Sequence, residues 1–172
     1  HYDWGYHGGK KHSQHGAHTG PAPHFYLDEE ESREDYFRMV EEIVTKYKDD
    51  ERVCVWDVYN EPGNSKRDGD ITLPNLKRMF QIVRACDPSQ PLTAAVFRNT
   101  IPFNETEQYC LDNSDLITYH CYSPYNEHIK LIKRLKREGR PIMNTEWLAR
   151  CLHNDVFSLF PLFYLEKIGC YN

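Results

Sequence analysis

The stretch Val53–Pro62, with the sequence VCVWDVYNEP, decides how this chain folds. Its first half is apolar and rich in β-branched residues, which is typical of a buried strand. Pro62 ends the strand because it has no amide hydrogen to donate to a sheet. Glu61 therefore follows a hydrophobic strand, where a carboxylate costs desolvation free energy unless something uses it. Two explanations stay open: a structural carboxylate, held by a helix N-terminus or an arginine, and a catalytic acid.

A second stretch, Pro141–Trp147 (PIMNTEW), repeats the pattern of a short strand that ends on a glutamate, here Glu146. A glycosidase that works by double displacement needs two carboxyl groups that face each other across the scissile bond. Two strands that each deliver a glutamate at the carboxyl end would supply them. The repeat therefore favours the catalytic explanation of Glu61.

Three motifs resemble those of clan A glycoside hydrolases. Asn60–Pro62 (NEP) is similar to their acid/base motif on strand four, and Thr145–Trp147 (TEW) is similar to their nucleophile motif on strand seven. Between these, Tyr119–Tyr122 (YHCY) is similar to the His-x-Tyr pattern on strand six. The nearest resemblance is to the family 5 enzymes, the relatives of cellulases and mannanases, and it covers roughly residues 32–172.

The resemblance implies a role for each residue of these motifs. Glu61 would be the acid/base and Glu146 the nucleophile of a retaining β-glycosidase. Asn60 would bind the sugar 2-hydroxyl, His120 would bind another sugar hydroxyl, and Tyr122 would hold Glu146 ionised. His120 and Tyr122 leave the same face of a strand, because side chains repeat every two residues. The alternative for Tyr122 is a core aromatic with a solvated hydroxyl.

Two more candidate substrate-binding residues follow Glu146, and each has a structural alternative. Trp147 could stack on a sugar ring or pack in the core. Arg150 could form an ion pair near Glu146 or face solvent.

The periodicity of the chain predicts an α/β fold. A helix over roughly residues 32–47 is followed by four strand–helix repeats and a final strand, an order that implies parallel pairing. The predicted strands are Val53–Asn60, Leu92–Phe97, Leu116–Tyr122, the strand after Pro141, and Ile168–Tyr171. By resemblance these are strands four to eight, with intervening helices, of a partial TIM (β/α)8 barrel.

A complete barrel takes about 250 residues, whereas this chain has 172. The expected organisation is a histidine- and glycine-rich loop segment over residues 1–30 and an incomplete (β/α)8 catalytic domain over 31–172. We expect such a part of a larger enzyme to be inactive and poorly stable alone, and to expose apolar surface.

Composition restricts the partners. The net charge of −5 argues against nucleic acid or an anionic membrane, and the sequence contains no apolar run of about 18 residues that could span a bilayer. The partner that the resemblance implies is a β-linked oligo- or polysaccharide. Neither a metal nor an organic cofactor is expected.

The residues outside the motifs suggest a rival function. Six of the nine histidines lie within residues 1–24, which would suit a metal-binding module, but no cysteine or carboxylate stands at ligand spacing there. The six cysteines form no CxxC pair and are expected to be mostly free, buried thiols. A second rival is a non-catalytic carbohydrate-binding barrel, although a binder has no need of both Glu61 and Glu146.

Overall fold

The computed structural model describes residues 30–64, 72–97 and 102–171. The histidine-rich segment predicted over residues 1–30 therefore lies almost wholly outside the described residues, and its role stays a prediction. The five helices of the described part are α1 (Glu30–Tyr47), α2 (Leu73–Ala85), α3 (Glu105–Asn113), α4 (Tyr125–Leu135) and α5 (Val156–Glu166). The strands are β1 (Trp56–Asp57), β2 (Leu92–Thr93), β3 (Ile117–His120), β4 (Ile142–Glu146) and β5 (Gly169–Cys170).

Consecutive strands pair in parallel, except β2 and β3, which belong to different sheets. β1 pairs with β2, and β3, β4 and β5 form a second sheet in that order. A parallel bridge between Val96 and Tyr119 joins the two sheets. Around it, the Val96 amide lies 3.0 Å from the Thr118 carbonyl, and the His120 amide lies 2.8 Å from the Val96 carbonyl. The described part is thus a partial (β/α)8 barrel, as predicted.

Apart from β4, which spans Ile142–Glu146, the strands are shorter than the apolar runs that predict them. Within Val53–Asn60, only Trp56–Asp57 is strand, because the chain before it is still turning: the Val53 amide donates to the Asp50 carbonyl at 3.0 Å. Sheet bonding nevertheless continues to Val58, whose amide lies 2.8 Å from the Thr93 carbonyl. Apolar composition predicts burial of this segment but not the length of the hydrogen-bonded ladder.

Several helix ends follow local sequence rules. Pro74 lies in the first turn of α2, where no amide donor is required. Gly139 has a φ of 67° and ends the short 3-10 turn after α4. Asp155 caps α5 by accepting the Ser158 amide at 3.0 Å. The serine nearest the start of α1, Ser32, lies within that helix, which begins at Glu30, and is therefore not its N-cap.

The core lies between the helices and the sheet. Its fully buried members on α2, β3, α4 and α5 include Leu76, Met79, Ile117, Tyr119, Leu131, Ile132 and Phe163. All six cysteines are free thiols, as predicted. Burial is confirmed only for Cys110 and Cys121, because Cys86 and Cys170 are half-buried and Cys54 and Cys151 are exposed.

Apolar surface is exposed on α5, in agreement with the expectation for a partial barrel. Phe157 is 91% exposed and Tyr164 is 84% exposed. Within the described part of the chain, no helix has the length and apolar character that crossing a membrane would require.

Candidate active site

Two glutamates meet at one edge of the sheet. Glu61 follows β1 and Glu146 is the last residue of β4, and the carboxyl ends of parallel strands lie at the same edge. One carboxylate oxygen of each glutamate and one ring nitrogen of His120 lie within 4.8 Å of one another. The prediction that both strands deliver their glutamates to a common edge is confirmed.

The Glu61 side chain is held in a tight, buried turn. Glu61 is 7% exposed, and its backbone φ of 45° is left-handed, which is uncommon for a residue with a Cβ atom. A 3-10 turn over Pro62–Asn64 follows directly. In this position the Glu61 carboxylate reaches His120, the last residue of β3.

Gly63 in that turn packs against the buried carboxylate of Glu107 on α3. A Cβ atom at Gly63 would lie 1.5 Å from Oε1 of Glu107, so any larger residue would force the buried Glu107 side chain to move. The Phe97 amide, just after β2, lies 3.3 and 3.2 Å from the two Glu107 oxygens. Glu107 is therefore a support of the Glu61 turn that the sequence analysis missed. Its signal was the pattern Asn-x-x-Glu at the start of α3, where Asn104 accepts the Glu107 amide at 2.8 Å.

Glu146 sits in a more regular environment. Its side chain is 35% exposed and belongs to the five-residue strand β4. The Tyr122 hydroxyl donates a hydrogen bond to Oε2 of Glu146. Burial, and then this hydrogen bond, raises the pKa of Tyr122 above its ordinary range, so the hydroxyl keeps its proton and remains a donor.

His120 lies between the two carboxylates. Its Nδ1 atom is 2.6 Å from Oε1 of Glu61 and 3.7 Å from Oε2 of Glu146, and its Nε2 atom is 3.0 Å from the Thr145 hydroxyl. The ring is 1% exposed. Both ring nitrogens thus have protein partners, and the binding of a sugar hydroxyl by His120 stays a prediction.

A break in strand register places Glu146 beside His120. Tyr119 is opposite Asn144, but the next pair is His120 with Glu146, so Thr145 is the extra residue on β4. Bulges of this kind re-aim side chains at functional edges. Without it, His120 would lie opposite Thr145.

The remaining candidates are not brought together. Asn60 is half-buried beside Glu61. Trp147 is 1% exposed, and its ring centroid lies 5.3 Å from those of both Phe160 and Phe163, so the packing alternative describes its position. Arg150 is exposed in a 3-10 turn and forms no ion pair with Glu146 within residues 30–64, 72–97 and 102–171. Of the two alternatives left open for Arg150, the solvent-facing one describes its position, and its role in substrate binding stays a prediction.

A third carboxylate, Asp57 of β1, lies near this cluster and was also missed. Desolvation raises the pKa of Asp57, while the charge of His120 opposes that shift and the charge of Glu146 adds to it. The side chain keeps solvent contact, so only part of this desolvation acts on it. Its place in the strand VCVWDVYNEP, two residues before Tyr59, gave no signal beyond a polar residue within an apolar run.

The spacing within the cluster favours direct hydrogen bonding over a shared metal ion. Glu61, His120 and Glu146 are the residues here that could ligate a cation. Two ligands of one tetrahedral zinc ion lie about 3.4 Å apart, given metal–ligand bonds of about 2.1 Å. The 2.6 Å contact between Glu61 and His120 is shorter, so these side chains bond to each other as they are placed.

Comparison with known proteins places these motifs in context. The family model for cellulases, glycosyl hydrolase family 5, matches residues 11–155. A curated relative, the β-glucuronidase of Chlorocebus aethiops, is 28% identical over 153 residues. That match covers 79% of this chain but only 22% of the relative.

Solved structures with a similar fold are also glycoside hydrolases. The intracellular xylanase TsXylA of Thermoanaerobacterium saccharolyticum has a TM-score of 0.54 and 21% identity, and the match covers 81% of this chain and 53% of the xylanase. A β-glucuronidase of Faecalibacterium prausnitzii has a TM-score of 0.53 and 17% identity, with 81% and 28% covered. A family 10 endo-β-1,4-xylanase of Gloeophyllum trabeum has a TM-score of 0.51 and 15% identity, with 69% and 43% covered. These likenesses support the barrel fold.

Proposed function

Because this chain belongs to the cellulase family, glycosyl hydrolase family 5, we propose that it carries the catalytic carboxylates of a retaining β-glycosidase. The enzyme hydrolyses O-glycosidic bonds of a β-linked glycan by double displacement. The observation that carries the proposal is the separation of Glu61 and Glu146, whose nearest carboxylate oxygens lie within 4.8 Å. Retaining enzymes hold their carboxyl groups about 5–5.5 Å apart, whereas inverting enzymes need about 6.5–9.5 Å to admit a water molecule.

The different surroundings of the two glutamates support different roles. The hydroxyl of Tyr122 donates to Glu146, which suits a carboxylate that must stay ionised to attack the anomeric carbon. Glu61 is instead buried, at 7% exposure, and its Oε1 atom forms a hydrogen bond with Nδ1 of His120 at 2.6 Å. Burial disfavours the charged form of a carboxyl group, which suits the general acid that protonates the leaving oxygen.

The proposed reaction has two steps. In the first, Glu146 attacks the anomeric carbon while Glu61 protonates the departing glycosidic oxygen, which leaves a covalent glycosyl-enzyme. In the second, Glu61 takes a proton from water, and that water displaces Glu146 with net retention. Asn60, next to Glu61, is proposed to bind the 2-hydroxyl of the sugar, a contact that strengthens as the oxocarbenium ion develops.

We also propose that the 172 residues alone do not turn substrate over. Their described part supplies five strands where a (β/α)8 barrel has eight, and it exposes large apolar side chains on α5. A cooperative thermal transition together with clear turnover by the 172-residue chain would contradict this. Tests of the chemistry therefore use the full-length protein that contains these residues.

The decisive test is the stereochemistry of the first-formed product. The full-length protein is offered a panel of aryl β-glycosides, and the anomer released is recorded by NMR before mutarotation. We expect the β-anomer, from the parent protein and from the control Glu105→Gln, whose side chain is 79% exposed. An inverted product would contradict the roles given to both glutamates. Glycan binding without turnover would favour the carbohydrate-binding barrel instead.

A further inference from the structure

One buried side chain, Asn154, links the segment just after β3, which contains Tyr122, to the segment just after β4, which follows Glu146. Asn154 is 3% exposed. Its Nδ2 atom donates to the carbonyl oxygens of Tyr122 and Trp147, both at 2.7 Å, and its Oδ1 atom accepts the Ala149 amide at 2.8 Å. Both donor hydrogens of the amide group, and its oxygen, are thus engaged by the backbone.

These contacts begin where the strand ladder ends. The last backbone bond between β3 and β4 runs from the Cys121 amide to the Glu146 carbonyl, at 3.0 Å. Tyr122 and Trp147 follow Cys121 and Glu146 directly and lie past the strand ends. The Asn154 amide donates to the carbonyls of these two residues and so extends the hydrogen bonding between the two segments by one residue beyond the strand ladder.

The geometry of one amide group restricts the spacing of the two carbonyls. The two N–H directions of an NH₂ group diverge by about 120°, so bonds of this length hold the acceptor oxygens about 4.7 Å apart. Asn154 is itself anchored, because the next residue, Asp155, caps α5 by accepting the Ser158 amide at 3.0 Å. The Asn154 amide therefore fixes the position of both strand ends relative to the start of α5.

We propose that Asn154 is a positioning residue that sets the Tyr122 hydroxyl against the Glu146 carboxylate. The proposal deepens the proposed function and rests on it for its catalytic meaning. Tyr122 is the residue that donates to Glu146, and Trp147 is the residue that follows Glu146, so the amide acts on both sides of that hydrogen bond. A misplacement of about 1 Å at a reacting group can cost on the order of 100-fold in rate.

The test compares substitutions of two buried side-chain amides, Asn154 and Gln90, each of which takes part in three hydrogen bonds. Asn154→Leu has a similar volume, adds no charge and removes all three bonds. The matched control is Gln90→Met, because Gln90 is also buried and bonds the Trp56 ring nitrogen at 3.0 Å and two backbone carbonyls at 3.0 and 3.3 Å, away from the glutamates. Asn154→Ser serves as a milder second variant if Asn154→Leu does not fold.

The first readout is independent of activity. The hydroxyl proton of Tyr122 should give a downfield NMR resonance that disappears in Tyr122→Phe. We expect Asn154→Leu or Asn154→Ser to shift it upfield or broaden it away, and Gln90→Met to leave it in place. An unchanged resonance in the Asn154 variants would overturn the proposal, since it would make Asn154 a merely structural residue.

The second readout is kinetic coupling. We expect Asn154→Leu to lower kcat about tenfold or more in the full-length enzyme, but less than about threefold when Tyr122→Phe is already present. Fully additive losses would overturn the proposal. A shifted resonance in a protein that hydrolyses no glycoside would contradict the proposed function while leaving the positioning of Tyr122 by Asn154 supported.

Discussion

The two glutamates reach the same edge of the sheet by different structural means. Glu61 is 7% exposed and follows a strand of two residues through a left-handed turn with a φ of 45°. Glu146 has a side chain that is 35% exposed and ends a five-residue strand paired on both sides. A regular strand thus delivers a partly solvated carboxylate, whereas a buried carboxylate requires a strained backbone and support from other elements.

The contacts that hold the two glutamates in place also differ. The Glu61 turn depends on side chains, since Gly63 packs against the fully buried Glu107, which also receives the Phe97 amide. Glu146 depends mainly on the backbone ladder, to which the Tyr122 hydroxyl is added. We therefore expect changes near Glu61 to act through packing and changes near Glu146 to act through chemistry.

The largest expected effect separates the roles of the two carboxylates. In the full-length enzyme, Glu146→Ala should lower kcat on the order of 10⁴-fold or more on every substrate, because no nucleophile remains. Glu61→Ala should spare the first step on aryl glycosides with good leaving groups, which need little protonation. Single-turnover kinetics on a leaving-group series measures both. Equal losses of rate for the two variants across that series would contradict the different roles assigned to the two glutamates.

The next effect concerns the packing of the Glu61 turn. Gly63→Ala should destabilise the protein by about 3 kcal/mol, because the new Cβ would lie 1.5 Å from Oε1 of Glu107. Gly169→Ala on β5 is the matched control beside the Glu146 strand: its Cβ would meet Met143 at 3.4 Å, an ordinary contact.

Urea unfolding of the two glycine variants gives the measurement. The loss in Gly63→Ala should shrink in the Gly63→Ala, Glu107→Ala double variant, where the space is opened. Equal free energies of unfolding for Gly63→Ala and Gly169→Ala would show that the turn is not tightly packed.

A pH-dependent effect of similar size on the free energy of unfolding is expected from His128, which packs against Tyr119 of β3. His128 is fully buried between Tyr119 and Phe163, and burial lowers its pKa to about 4. The unfolded chain, with a histidine pKa of about 6.5, binds the proton first. The free energy of unfolding should therefore be maintained above pH of about 6.5 and fall by up to about 3 kcal/mol as the pH drops to about 4.

The control for this pH dependence is His128→Leu, which cannot titrate. Its stability relative to the parent protein should improve as the pH falls from about 6.5 to about 4, as measured by chemical unfolding at a series of pH values. Parallel pH curves for the two proteins would show that His128 does not titrate differently in the folded state.

The smallest expected effect tests the solvent-facing position of Arg150. Arg150→Ala should change kcat/KM less than about twofold and stability by less than about 0.5 kcal/mol, because the side chain is exposed and forms no ion pair with Glu146 among the described residues. A tenfold loss of kcat/KM would favour the other alternative from the sequence, an ion pair near Glu146, and would show that the Glu146 side also depends on a positive charge.

The sequence by itself determined the parts of this protein that obey local rules. Apolar runs that end on Glu61 and Glu146, with helical periodicity between them, predicted parallel strands and a partial barrel with both carboxylates at one edge. Pro74 and Gly139 marked helix ends because their backbone restrictions act within a few residues.

Only the tertiary structure decided how the side chains at that edge are used. Trp147 and Arg150 follow Glu146 in sequence, yet one packs against α5 and the other faces solvent. His120 contacts both glutamates because one residue of β4 bulges out of register, and Asn154 reaches two strand ends because α5 begins beside them. These contacts join residues from different elements, as with His120 and Thr145, 25 positions apart, or Asn154 and Tyr122, 32 apart, and their geometry depends on several packed elements at once, which no local pattern encodes.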